Sequence, residues 1–487
     1  MYRTLGLLGL SVCAYLVLNA VPKIIGLEIS LLFAIFSFIF FAILTSGFYQ
    51  ARTFGGLIFP IVLWIGIWLK LVIHWAYPAL IWTEPIGAFD GSKDSWADVL
   101  LIASVGGAGV FIAQWVFKIA ARRFSMNPVS YQVPSWYRGG MRTSLWLGAI
   151  LVVASTLFLN EYFHIIHLGR PSAIDLPWPW QGLFGWWCNI GMLLLILTLF
   201  GLDASIKALL WLGIGVLVLA TLGISISMHS RGVYVFGILP FAYALWKWNE
   251  SGRHFSKLKL IVLAGTFMLG AVLSIGVSEY RRYAGPDGLP LNGGGHHHVV
   301  AAKSSPSKPE INLPEVNVLE RLPGLAVRLM VDRWLGLEGM MAISAFPGKS
   351  TALFFRAIKE RRTKDRADFY TSQISGSGFK DSDTTKYQYA TMPGAIGYLY
   401  LSGSLWVVFS GMFMLSMLLF LSEAVIYKLS GNLFLSSSVG MYVVLLIVQL
   451  GAGGLVQPMT SYVTTMAASI LLALIFRGRF VSNQTIR

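Results

Sequence analysis

The sequence predicts an all-α polytopic membrane protein of about 12 transmembrane helices, with one long, partly helical extracytoplasmic loop. Three observations predict it. Only 12% of the residues are charged while 56% are hydrophobic, against roughly a quarter charged in soluble domains. Apolar runs of about 20 residues, the length that crosses hydrocarbon as helix, recur along the chain. One hydrophilic stretch, from Val277 to Thr391, interrupts them. Two cysteines, Cys13 and Cys188, lie inside apolar runs and imply neither a disulfide framework nor a metal site. The net charge of +15 is the ordinary result of basic residues flanking membrane helices, so no nucleic-acid partner follows from it.

In order, the first span runs from near Leu5 to Ala20. More spans follow, so it reads as an uncleaved first helix rather than a signal peptide. Further spans lie near 28–48, 56–77, 97–117, 144–160, 183–200, 208–226, 232–247 and 260–278. After the loop come spans near 394–421, 435–456 and 460–476. The chain thus divides into residues 1–278, a bundle of about nine spans; 279–393, the extracytoplasmic (periplasmic) loop; and 394–487, about three spans and a cytoplasmic tail.

Orientation follows from the short loops. Lys118, Arg122, Arg123, Arg138 and Arg142 fall in one connection, Lys247, Arg253, Lys257 and Lys259 in another, and Arg477, Arg479 and Arg487 in the tail. Alternation puts all three on one side, which is then cytoplasmic, with both termini inside. The long loop is basic too, but loops beyond about 60 residues translocate regardless of charge.

Residues 284–316 are rich in Gly, Pro and Ser and read as flexible. Past Pro323-Gly324, Leu325 to Ile343 forms a helix with an apolar stripe of Leu325, Leu329, Trp334, Leu337 and Met341, resting on the bundle or the bilayer interface. Ser350 caps a second helix over roughly Thr351 to Arg362. Ser372 to Gly378, dominated by Gly and Ser, reads as a mobile connection.

The loop's arginines are permanent cations with paired donors for phosphate. Arg282, Arg321, Arg328 and Arg333 are candidates for a pyrophosphate site. Each also has a structural alternative: Arg328 and Asp332 are spaced i, i+4 for an ion pair, and Arg333 beside Trp334 suits an interfacial anchor. Arg231 sits at the tip of a tight hairpin, SMHSRGVYV, where a charge is costly and often functional, or else snorkels to headgroups. Lys70 and His74 lie i, i+4 in WLKLVIHWAYP and should face the bundle interior or a wet cavity rather than lipid; the structural alternative is a snorkelling lysine and a hydrogen-bonded histidine. His164, His167 and Arg170 follow the fifth span. The i, i+3 histidines lack a third ligand nearby, so no metal is expected. His296, His297 and His298 read as a low-complexity surface segment. FPGKST (Phe346 to Thr351) lacks the glycine that a phosphate-binding loop needs at position 343, which is Ile343. For a general base, Glu338 and Asp332 are the best placed carboxylates, ahead of Glu161, Glu84 and Asp90. Each of these also serves as an ion-pair partner.

Together WLKLVIHWAYP with EPIGAFDGS, the SRG hairpin, VDRWLGLEGMMAIS in an Arg-rich outer loop, and PGAIGYLYLSGS resemble the bacterial Wzy-type polymerases of exopolysaccharide and O-antigen repeat units. The resemblance implies a membrane glycosyltransferase of the inner membrane whose substrate is an undecaprenyl-pyrophosphate-linked oligosaccharide. A hydroxyl of one lipid-linked repeat attacks the anomeric carbon of another, and undecaprenyl pyrophosphate leaves. It implies no cofactor, no metal and no nucleotide. A chain-length-determining co-polymerase is a partner it allows. Fixed cations (Arg231, Arg282, Arg321, Arg328, Arg333, Lys70, His74 and Arg170) would hold the leaving diphosphate, and Glu338 or Asp332 would accept the proton. The alternatives are a flippase for the same lipid, which twelve spans also suit, and a membrane acyltransferase built on His74 or His229. A flippase would favour an internal repeat, which is not evident.

Overall fold

A computed structural model describes residues 2–50, 53–78, 80, 82, 84–121, 133–167, 172–174, 176–177, 179–206, 210–250, 257–284, 336–361, 367–377, 392–451 and 454–476. Among these residues every regular element is helical. In chain order the long helices are α1 (Tyr2–Gly26), α2 (Ser30–Gln50), α3 (Phe54–Ala76), α4 (Lys93–Ala121), α5 (Gly140–Phe163), α6 (Trp180–Ser205), α7 (Leu210–Ser227), α8 (Arg231–Glu250) and α9 (Lys257–Ala284). Two short helices follow, α10 (Leu337–Ala345) and α11 (Thr351–Lys359), then a π turn at Tyr370–Ile374 and the short α12 (Gly394–Tyr400). The chain closes with α13 (Leu405–Ser430), α14 (Leu433–Val448) and α15 (Val456–Ile475).

The protein is an all-α polytopic membrane protein. Nine helices among the described residues are long and apolar enough to cross a membrane. This is fewer than the twelve expected, although a helix stands at every expected span. The apolar part of α1 (Ser11–Gly26) and α14 are shorter. Pro240, Lys247 and Glu250 interrupt the apolarity of α8. The expected span 394–421 is two elements. Gly403 takes the left-handed φ of 71° that ends α12's turn, and α13 then runs to Ser430. Only glycine adopts that φ without steric cost.

Small residues let the helices approach, as they do where lipid gives no hydrophobic drive between helices. On α4, a Cβ at Gly109 would lie 2.5 Å from the Phe409 carbonyl of α13, and one at Gly107 would lie 2.9 Å from Ile39 of α2. Buried polar networks tie the helices at both ends. At one, Asp203 of α6 accepts from Tyr137 Oη (2.9 Å), Arg142 Nε (2.8 Å) and Nη2 (2.9 Å), and Trp146 Nε1 (3.0 Å). In the same half, Glu423 of α13 accepts the Phe54 and Gly55 amides at the start of α3 (2.5 and 2.7 Å). At the other end, Asn160 of α5 donates to Ser227 of α7 at 2.6 Å.

The helix expected over Leu325 to Ile343 is seen from Leu337, and 325–335 lie outside the described residues. The observed part is not an interfacial stripe. Every residue from Leu337 to Ser344 is buried, because α10 is sunk into the bundle between α3, α4 and α12. The second helix forms as expected: Ser350 Oγ accepts the Leu353 amide at 3.1 Å and α11 begins at Thr351. Ser372 to Gly378 is not a mobile connection as far as it is described. Ile374, Ser375 and Ser377 are buried, and the Ser375 carbonyl accepts the Gly87 amide at 2.9 Å.

Candidate functional site

Lys70 is a charge inside an apolar span, so its ammonium must find a partner inside the protein. The partner is Glu338. Lys70 Nζ and Glu338 Oε1 form a direct ion pair, with side chains 0% and 4% exposed. Such a pair repays its desolvation only when both groups are held close, and two features hold them. First, α3 departs from α-helical winding at Trp64–Leu69, a π turn ending immediately before Lys70. Such insertions are frequent at functional sites. Second, α10 meets α12 backbone to backbone. A Cβ at Gly339 would lie 2.2 Å from the Pro393 carbonyl, and one at Gly397 would lie 3.3 Å from Gly339. Neither helix could approach this closely with a side chain at those positions, so the GLEG and PGAIG stretches together seat Glu338 on Lys70.

The C-terminal end of α10 is fixed as well. Lys349 Nζ donates to the Ser344 and Phe346 carbonyls at 2.7 and 2.6 Å. A cation at a helix C-terminus is favoured by the dipole. The lysine of FPGKST thus caps a helix.

His74 lies one turn beyond Lys70 and is 5% exposed. Its imidazole stacks on Trp82, with centroids 3.7 Å apart and planes 17° apart. Tyr370 is buried nearby, and Glu84, Glu338 and Asp368 all act on it electrostatically. Burial pushes the Tyr370 phenol well up, and the carboxylates add to the effect. Burial also raises the Glu338 carboxyl above its ordinary range; Lys70 draws it part of the way back, and Glu84 opposes Lys70. The site therefore combines a proton acceptor held at raised basicity, a fixed cation against it, and an aromatic wall.

Of the residues singled out in the sequence, the structure brings Lys70, His74 and Glu338 into one place, with Glu84 near enough to act on Glu338. Arg231 begins α8 and Arg282 lies in the last turns of α9, with their side chains outside the described residues. Arg170, Arg321, Arg328, Arg333, Asp332 and His296 to His298 lie outside the described residues altogether. Asp90 closes the turn ahead of α4, accepting from the Ser92 amide and Ser95 Oγ (2.9 and 2.6 Å). Glu161 stays on the last turn of α5.

His164 and His167 do meet, Nδ1 to Nε2 at 3.2 Å, and the fold adds His229, whose ring lies 4.6 Å from that of His167 and 25° from parallel. Stacked rings do not aim their nitrogens at a common point. Among the described residues, no group of three metal-capable side chains converges on a metal position.

Sequence reasoning missed Trp82, Tyr370 and the glycine pair Gly339 and Gly397. Tyr370 and Trp82 carry no local signal. The glycines did, as GLEG and PGAIG, but their mutual contact is visible only in three dimensions. Compared with family models, with curated proteins and with solved structures, the chain matches none.

Proposed function

We propose that the chain is a membrane glycosyltransferase that polymerises undecaprenyl-pyrophosphate-linked oligosaccharide repeat units, as the Wzy-type polymerases do, releasing undecaprenyl pyrophosphate. The observation that carries the reading is the buried Lys70–Glu338 pair. A membrane helix retains an ionisable residue at such cost mainly where it works, and this one meets a carboxylate supplied by the long connection. In this reading the protein sits in the bacterial inner membrane with both termini cytoplasmic, and the Lys70–Glu338 end faces the periplasm.

Glu338 accepts the proton of the acceptor hydroxyl as that oxygen bonds to the anomeric carbon of the donor glycan. The bond from that carbon to the diphosphate oxygen breaks, and the lipid diphosphate departs with the electron pair. Lys70 keeps Glu338 ionised and aligned before the transfer and takes up no atom of the product. The cations Arg231, Arg282, Arg321, Arg328, Arg333 and Arg170, with His74, stabilise the departing diphosphate. The diphosphate linkage is already activated, so no nucleotide is consumed.

The test is incubation of the purified protein, in nanodiscs, with a lipid-linked repeat unit and no nucleotide or added metal. A ladder of products on a gel, abolished by Glu338→Gln, is the expected result. Absence of any ladder, with single repeats retained in cells on the cytoplasmic face when the gene is deleted, overturns the reading in favour of a flippase.

A further inference from the structure

The connection between α3 and α4 presents side chains that the proton transfer and the diphosphate contacts leave unused. Trp82 is half-buried, with His74 covering one face of its indole. Trp96 flanks it at 6.3 Å and is itself held edge-on by Trp75 and Phe89 at 5.1 and 4.8 Å. Trp75, Phe89 and Trp96 are buried, so they form a rigid floor, and Trp82 is the ring of this group that reaches the surface. Two residues on, Glu84 is half-buried and near enough to Glu338 and Tyr370 to act on both.

This connection is fixed in place. The Gly87 amide donates to the Ser375 carbonyl, and a Cβ at Gly87, whose φ is +60°, would lie 2.4 Å from the Ile374 carbonyl. Residues 84–90 are thereby tied to the π turn that carries Tyr370, and Glu84 stays on the Glu338 side of the bundle end.

A flat, electron-rich ring that is partly open, with a carboxylate two residues along the same connection, is suited to a pyranose. The sugar's C–H face packs on the indole, and its hydroxyls donate charge-assisted hydrogen bonds to the carboxylate.

We propose that Trp82 and Glu84 form the subsite for the sugar that supplies the attacking hydroxyl. This rests on the glycosyltransferase reading above and adds to it the place of the acceptor. A sugar on Trp82, with hydroxyls on Glu84, presents a further hydroxyl toward Glu338. The ligand class is a neutral hexopyranose or its N-acetyl derivative. A uronic acid would be repelled by Glu84.

The experiment uses full-length protein in nanodiscs with the methyl glycosides of glucose, galactose, N-acetylglucosamine and glucuronic acid as probes, read by saturation-transfer NMR. At least one neutral glycoside should bind, the glucuronide should not, and Trp82→Ala and Glu84→Gln should each weaken binding about tenfold. Trp82→Phe keeps an aromatic face against His74 and should lose less, which separates loss of the subsite from loss of the fold. In the polymerisation assay, Glu84→Gln should raise KM for the acceptor with little change in kcat. Glycoside binding lost in these variants, in a protein that makes no polymer, supports the subsite and removes the glycosyltransferase reading. Polymer formation with acceptor KM unchanged in Trp82→Ala and Glu84→Gln overturns the subsite and leaves that reading standing. Failure of every neutral glycoside to bind the wild-type protein, or equal binding of the glucuronide, also overturns it.

Discussion

Lys70 and Glu338 neutralise each other inside the protein, one from a membrane span and the other from the first turn of a short helix in the long connection. Both side chains are buried, 0% and 4% exposed. Losing one partner therefore strands the other, whereas losing both removes the problem. Lys70→Met or Glu338→Gln alone should cost ~3–5 kcal/mol of stability, and the double apolar variant Lys70→Met with Glu338→Met should recover most of it. Thermal unfolding in detergent checks this. A double variant no more stable than either single one would show that the pair is not coupled.

Gly339 lies against the Pro393 backbone at the start of α12, which leaves no room for a side chain. Gly339→Ala forces α10 away from α12 and should cost ~1–3 kcal/mol by overpacking. Activity should fall further than stability, because the displacement moves Glu338 away from Lys70. Gly265→Ala is the control: nothing lies within 4 Å of a Cβ there, so it should be neutral or stabilise by up to ~1 kcal/mol. Unfolding curves and polymer assays on both variants decide the matter.

Ser350 caps α11 through the Leu353 amide. Ser350→Ala should cost ~1 kcal/mol, and hydrogen exchange should quicken in the first turn, Thr351 to Phe354, before anywhere else. Uniform loss of protection across α10 and α11 would mean that the two helices unfold as one unit.

At the opposite end, Asp203 gathers four donors. Asp203→Asn keeps the shape but leaves the Arg142 guanidinium without its carboxylate and should cost ~3 kcal/mol. This network touches no part of the candidate site, so kcat per folded molecule should stay at the wild-type value. A changed KM in Asp203→Asn would link the two ends.

Hydrogen bonds from Ser95 and Ser92 hold the Asp90 carboxyl down at about 2. A carboxylate whose folded value lies below its unfolded value stabilises at pH above the unfolded value, roughly 4, and loses that stabilisation as pH falls toward the folded one. The melting temperatures of wild type and Asp90→Asn should therefore differ by a constant amount from pH 9 to 5, then converge below pH 4. A difference that persists at pH 2 would assign the effect to packing.

The sequence by itself determined the class and the helix plan, because a bilayer imposes one length and one polarity on any segment that crosses it, and both are local properties of the chain. It pointed Lys70 and His74 inward, with a snorkelling lysine as the alternative, and both are buried. The Ser350 cap was equally legible, as a capping hydroxyl acts on an amide three residues away. What Lys70 faces was decided only by tertiary structure. Its partner sits beyond six further long helices, brought there by the fit of Gly339 against Pro393 and Gly397. The burial of α10 was hidden for the same reason: an apolar stripe looks identical whether it covers a bilayer surface or fills a slot between helices. Trp82, Glu84 and Tyr370 gain meaning only from what folds against them, because stacking and electrostatic coupling depend on distance in space and not on separation along the chain.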